Sequence, residues 1–135
     1  MREYYLFIIK SEFYNAYVSN PFSLFKTLEN LYGFTFKDAK FGISLYHQLC
    51  ELHNVSLLHD YFRAKGYKRK GNRYLLTTPF EAEKTIVDVR PSTLVIRSNW
   101  NIPSIFRILY YYNHYIFVCD FKNKDYFWLS SQYKK

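Results

Sequence analysis

The second half of the chain constrains the fold most. Arg73 to Thr78, Lys84 to Val89 and Thr93 to Ser98 are short runs rich in β-branched and aromatic residues, and they follow one another with no room for a helix between them. Such residues suit a pleated, half-buried surface. Strands joined by only a few residues pair antiparallel, because a parallel return needs a crossover of about a dozen residues or more. Val89-Arg90-Pro91-Ser92 predicts the turn between the last two runs. Tyr115 to Phe121 and Asp125 to Leu129 flank Lys122-Asn123-Lys124 and predict a closing hairpin. Before it, Ile102, Ile105, Phe106 and Leu109 fall at i, i+3, i+4 and i+7, an apolar helical stripe. Asn101 is placed to cap that helix, with Pro103 in its first turn.

The first half has helical spacing after one strand. Tyr4 to Ile9 is an apolar and aromatic run that predicts a buried strand. Ser11 is placed to cap a helix starting near Glu12. Phe13 and Tyr17 share one face of that helix, and Tyr14 and Val18 share its neighbour. Two large apolar stripes exceed what one helix on a sheet buries, so one is available for a partner; spacing alone does not choose between them. Asn20-Pro21 interrupts the helix. Phe22, Phe25, Leu28 and Leu31 then predict a second one, ending before Gly33. Thr35 with Asp38 resembles a capping box opening a helix from about Phe36 to His53, with Ile43, Leu45, Tyr46, Leu49, Cys50 and Leu52 on its faces. A shorter helix from Leu57 to Lys65 stops at Gly66. The order β-α-α-(α)-β-β-β-α-β-β predicts an α+β fold, a mostly antiparallel sheet with helices packed against it. The 135 residues fit one domain over the whole chain, with no linker or repeat.

Composition narrows the function classes. Apolar residues make up 49% and charged residues 22%, which marks a globular chain. Aromatics reach 22%, with 15 Tyr and 13 Phe, more than a core of this size needs and well suited to an adhesive surface. A net charge of +8 favours acidic partners: nucleic acid, anionic lipid or an acidic protein. No apolar stretch approaches the roughly 18 residues of a membrane span. Met1-Arg2-Glu3-Tyr4-Tyr5 opens into a strand-like run rather than the ordered regions of a signal peptide. Cys50 and Cys119 are too few for a secreted disulfide framework, so the default compartment is the cytosol.

Motifs for catalysis are sparse. There is no phosphate-cradling glycine loop and no nucleophile elbow. Cys50-x2-His53-x5-His59 resembles a ligand set but lacks the fourth ligand of a structural zinc site. Cys119 with His114 is a conceivable dyad, although Cys119 lies in an apolar run where thiols are inert. The expectation is a binding protein, not an enzyme, with no cofactor and no small-molecule substrate. The basic segment is the sharper alternative. Arg63, Lys65, Lys68, Arg69, Lys70 and Arg73 interleave with Tyr61, Phe62, Tyr67 and Tyr74, and Tyr61 to Phe80 holds no acidic residue. Cations for phosphates and rings for stacking are what single-stranded nucleic-acid binders use.

At its two ends the chain resembles the SirA family, the sporulation inhibitors of replication. Tyr4-Tyr5-Leu6-Phe7-Ile8-Ile9-Lys10-Ser11-Glu12-Phe13 followed by Tyr17 is similar to the family's N-terminus. Cys119-Asp120-Phe121-Lys122-Asn123-Lys124-Asp125-Tyr126-Phe127-Trp128-Leu129 is similar to its closing hairpin. Tyr67 through Pro79 also fits, while Asn30 to Ser56 fits loosely. The resemblance implies a cytoplasmic, non-enzymatic inhibitor that binds the N-terminal domain of the replication initiator DnaA. It implies a contact surface of Phe13 and Tyr17 on the first helix, positions near His47 and Cys50, and Ser131 near the C-terminus. Phe13 and Tyr17 keep the family's residue type and the others do not. The resemblance also implies that Phe13 and Tyr17 face outward, with Tyr14 and Val18 toward the sheet.

Overall fold

Strand β1 (Arg2–Ile9) is apolar on both sides because both sides are covered. Successive side chains point to opposite faces of a sheet. Tyr4, Leu6 and Ile8 enter one core, while Phe7 and Ile9 enter another. The computed structural model describes residues 1–32, 47–52, 54–78, 82–90 and 93–133. The expected capping box at Thr35 and Asp38, the run from Phe36 through Tyr46, and His53 lie outside them, as do Pro91 and Ser92.

After β1 come α1 (Ser11–Tyr17), α2 (Pro21–Tyr32), β2 (Cys50–Glu51), α3 (Val55–Ala64), β3 (Arg69–Lys70), β4 (Arg73–Thr78), β5 (Glu83–Val89) and β6 (Leu94–Ser98). Then follow α4 (Ile105–Tyr112), β7 (Ile116–Asp120), β8 (Asp125–Trp128) and a 3-10 turn (Leu129–Gln132). The sheet runs β3-β4-β5-β6-β1-β7-β8, with β2 also paired to β1, and every pairing is antiparallel. The α+β class expected from the sequence is therefore the class observed. On one face α3 and α4 bury Leu58, Phe62, Ile105, Phe106 and Leu109 against β1 and β4 to β7. On the other, α2 buries Leu24, Phe25 and Leu28 against Phe7, Ile9, Phe117 and Trp128.

Several boundaries differ from the sequence expectation, for local reasons. Ser11 lies inside α1, which follows Lys10 and has no side-chain cap. Asn20 does cap: its Oδ1 accepts from Ser23 N at 3.3 Å, and Pro21 takes the first helical position, where a missing N–H costs nothing. Residues 47–49 are helical, but Cys50 and Glu51 leave the expected helix to pair with Ile9 and Ile8. Asn101 does not cap α4; its carbonyl accepts the Tyr4 hydroxyl at 2.5 Å. The helix starts instead beside Ser104, whose N and Oγ both donate to the buried carboxylate of Glu83, at 3.0 and 2.6 Å. Strand β3 was not expected. It pairs with β4 across Gly71-Asn72, and the φ of +64° at Gly71 is one that L side chains rarely adopt.

Three carboxylates lock the strands from the side. Asp120, buried, accepts from Arg2 Nε and Nη2 at 3.1 and 3.0 Å and from Asn123 N and Nδ2 at 3.1 and 2.7 Å. Burial alone would raise its pKa; the Asn123 and Arg2 contacts outweigh it and hold the group below its ordinary 3.8. Asp88 is held down by Arg73, and Glu3 by Arg97 and the Tyr5 hydroxyl. A depressed carboxylate stabilises the fold at pH above its unfolded value, and that stability is lost as pH falls through the folded one. The urea midpoint should therefore hold down to about pH 5 and drop below it. Asp120→Asn should flatten part of that drop; a variant with the same acid dependence as the parent would contradict this.

Candidate functional site

Helix α1 has no fully buried residue, so what holds it decides what it offers. Tyr14 is the anchor. Its ring stands edge-on to Trp128 and to Tyr115, each at 4.9 Å, and Trp128 Nε1 donates to the Tyr17 carbonyl at 3.4 Å. With Tyr14 turned to the closing hairpin, Phe13 and Tyr17 line the opposite edge of α1 and stay half-buried. Val18 does not share the inward position with Tyr14: it ends the helix and is 40% exposed.

Phe13 and Tyr17 form one wall of an open groove of about 400 Å³. Thr27, Asn30 and Leu31 of α2 form another, and Gln48 and Leu49 complete it. Backbone pairing sets this geometry. Lys10 N donates to the Leu49 carbonyl at 3.0 Å, and β2 fixes the next two residues to Ile9 and Ile8. The groove is apolar and aromatic with a few amide and hydroxyl groups, which suits burial of a complementary protein surface rather than bond-making chemistry.

The other positions implied by the family resemblance sit differently. His47 is exposed beside the groove but does not line it. Cys50 is 1% exposed and faces the α2 core rather than the groove, which Gln48 and Leu49 line instead. Ser131 lies on the 3-10 turn, donating to the Trp128 carbonyl at 2.7 Å, and Tyr133 beyond it packs over Tyr110 of α4. Gln48, a helical residue just before β2, carries no sequence signal that marks it out. Leu31 was seen only as part of the α2 stripe.

Among the described residues, which exclude His53, the catalytic and metal combinations do not come together. Cys50 belongs to the α2 face and His59 contacts Tyr74 on the opposite one. Cys119 is fully buried on the α2 face, where burial pushes its thiol far up, while His114 packs edge-on against Tyr110 of the other core. Both thiols should resist a thiol-modifying reagent in the native protein and react once it is denatured; native labelling of either would overturn this placement.

The basic segment is divided by the fold. Arg63 pairs with Asp60 at 2.5 Å, and Lys65 lies 5.5 Å from the Tyr61 ring centre. Lys70 is paired to Arg73, and Arg73 pairs with Asp88 at 2.8 Å. Strand alternation puts those two on the sheet side opposite Arg69 and Tyr74. Phe62 and Tyr74 are core residues and so are not free rings. Of the six cations, Arg63, Lys68 and Arg69 share one cleft, with Tyr67 and the buried Tyr74.

A family model described as sporulation inhibitor of replication protein SirA matches residues 2–132. No curated protein matches the chain. The match spans nearly all of the sequence, and the chain belongs to the SirA family, whose role is regulatory inhibition of replication at sporulation. No helix among the described residues is long and apolar enough to cross a membrane.

Proposed function

We propose that this SirA-family chain acts in the cytoplasm by binding the N-terminal domain of DnaA through the groove between α1, α2 and Gln48-Leu49. The observation that carries this reading is the position of Phe13 and Tyr17, half-buried side by side on an open groove while Tyr14 ties their helix to the closing hairpin. Aromatic anchors in a groove give large contact area, and a helix already held by Trp128 loses little freedom on binding. Gln48 supplies the polar group that fixes the partner's orientation. Occupation of the matching patch on DnaA then blocks the contacts it needs to assemble or to recruit partners at the origin.

Calorimetric titration against the cognate DnaA N-terminal domain tests this. Saturable binding is expected, with an affinity that depends weakly on salt because the contact is mainly apolar. Absence of binding overturns the reading.

A further inference from the structure

A second open cleft lies on the other side of the sheet, between α3 and the β3–β4 hairpin. It measures about 690 Å³, within the roughly 300–1,000 Å³ of small-ligand sites. Arg63, Lys68 and Arg69 line it against a single carboxylate, Asp60, which Arg63 already engages. Lys68 and Arg69 have no carboxylate partner among the described residues, and both are exposed. Tyr67 gives the cleft a half-buried aromatic wall.

Its floor carries an unpartnered buried ring nitrogen. His59 Nδ1 and the Tyr74 hydroxyl lie 2.6 Å apart, both residues buried. His59 Nε2 is buried and has no hydrogen-bond partner among the described residues. An unpartnered buried polar atom is unusual. Lys68 and Arg69 thus present donors at a cleft that His59 also lines.

We propose that this cleft binds the phosphate of a nucleotide, with Lys68 and Arg69 on the phosphate oxygens and the Tyr67 ring beside the base. A lone phosphate would leave most of the volume and the aromatic wall unused. A nucleotide, free or within a single strand, fills both. This site does not depend on the DnaA-binding reading and lies away from its groove.

The test is fluorescence anisotropy of the full chain with a short labelled oligothymidylate at low salt, with ATP and inorganic phosphate as competitors. Lys68→Ala and Arg69→Ala should each weaken the oligonucleotide about tenfold or more. Lys70→Ala, on the opposite sheet side, should change it less than about twofold. The double variant should also reduce the slope of log affinity against log salt by about 1.4. Displacement by ATP makes the free nucleotide the ligand's source; Lys68- and Arg69-dependent binding that resists ATP makes it a strand. No binding of any probe overturns the site, as does equal loss at Lys68, Arg69 and Lys70. Displacement by inorganic phosphate as readily as by ATP overturns the role of the aromatic wall. Lys68→Ala alters one exposed side chain and keeps the test decisive if Arg69→Ala disturbs Tyr74.

Discussion

Replacing Phe13 and Tyr17 together with alanine should abolish binding to the DnaA N-terminal domain and leave the protein folded. Each well-buried aromatic anchor contributes roughly 2 kcal/mol or more on truncation. Two of them correspond to about a thousandfold in affinity, enough to take a micromolar complex out of range. The fold should survive because neither ring is fully buried and the tether of α1 lies elsewhere. Tyr14 keeps its contacts with Trp128 and Tyr115, and the bond from Trp128 Nε1 goes to a backbone carbonyl that the substitution leaves in place. Circular dichroism and thermal melting of the double variant separate the two effects. If the variant unfolds, the pair belongs to the core and the groove is not a surface. Tyr14→Ala is the useful contrast, since it frees α1 from the hairpin while keeping both anchors.

The largest loss of stability from one polar substitution should come at Glu83. Its carboxylate is 1% exposed and accepts from Thr85 Oγ1 at 2.6 Å, Ser104 N at 3.0 Å and Ser104 Oγ at 2.6 Å. It stands at the N-terminus of α4, where negative charge is favourable and where no side chain of the helix's own segment caps it. Through α4 it sets the position of Phe106, whose ring packs edge-on against Tyr4 at 5.3 Å in the core. Glu83→Ala takes the acceptor from the buried Thr85 hydroxyl and from Ser104 N and Oγ and opens a cavity, at a cost of about 3 kcal/mol or more in urea unfolding. Glu83→Gln should recover only part of this, because its amide turns a donor toward donors. A cost below about 1 kcal/mol for the alanine variant would show that the helix end is held by something else.

How far the sequence foretold this follows from range. Patterns that depend on neighbours a few residues away were legible: the β1 run, the α2 stripe, the β4 to β6 strands and the closing hairpin. Features set by distant partners were not. Glu83 caps a helix 21 residues further on, and no local signal shows it. Strand β3 hid in a basic segment because Lys and Arg carry little strand preference, although charged residues are common on edge strands. Its Gly71-Asn72 turn was the readable cue. Phe22 sits on the α2 periodic stripe yet is 55% exposed, beside Tyr126 of the edge strand β8. On α1, spacing gave two faces of equal merit. The choice rested on the family resemblance; in the fold Tyr14 packs on Trp128, and Phe13 and Tyr17 lie half-buried on the groove. Cys50, expected on the surface, is turned inward by β2 pairing, which is invisible in the sequence.

The most direct measurement is amide chemical-shift mapping of the isotope-labelled chain during titration with unlabelled DnaA N-terminal domain. The groove account predicts that shifts and broadening concentrate at Phe13, Tyr17, Asn30, Leu31, Gln48 and Leu49, with Lys68 and Arg69 unaffected. Perturbation centred on the α3–β3 cleft, or on α4, with the groove silent would contradict it.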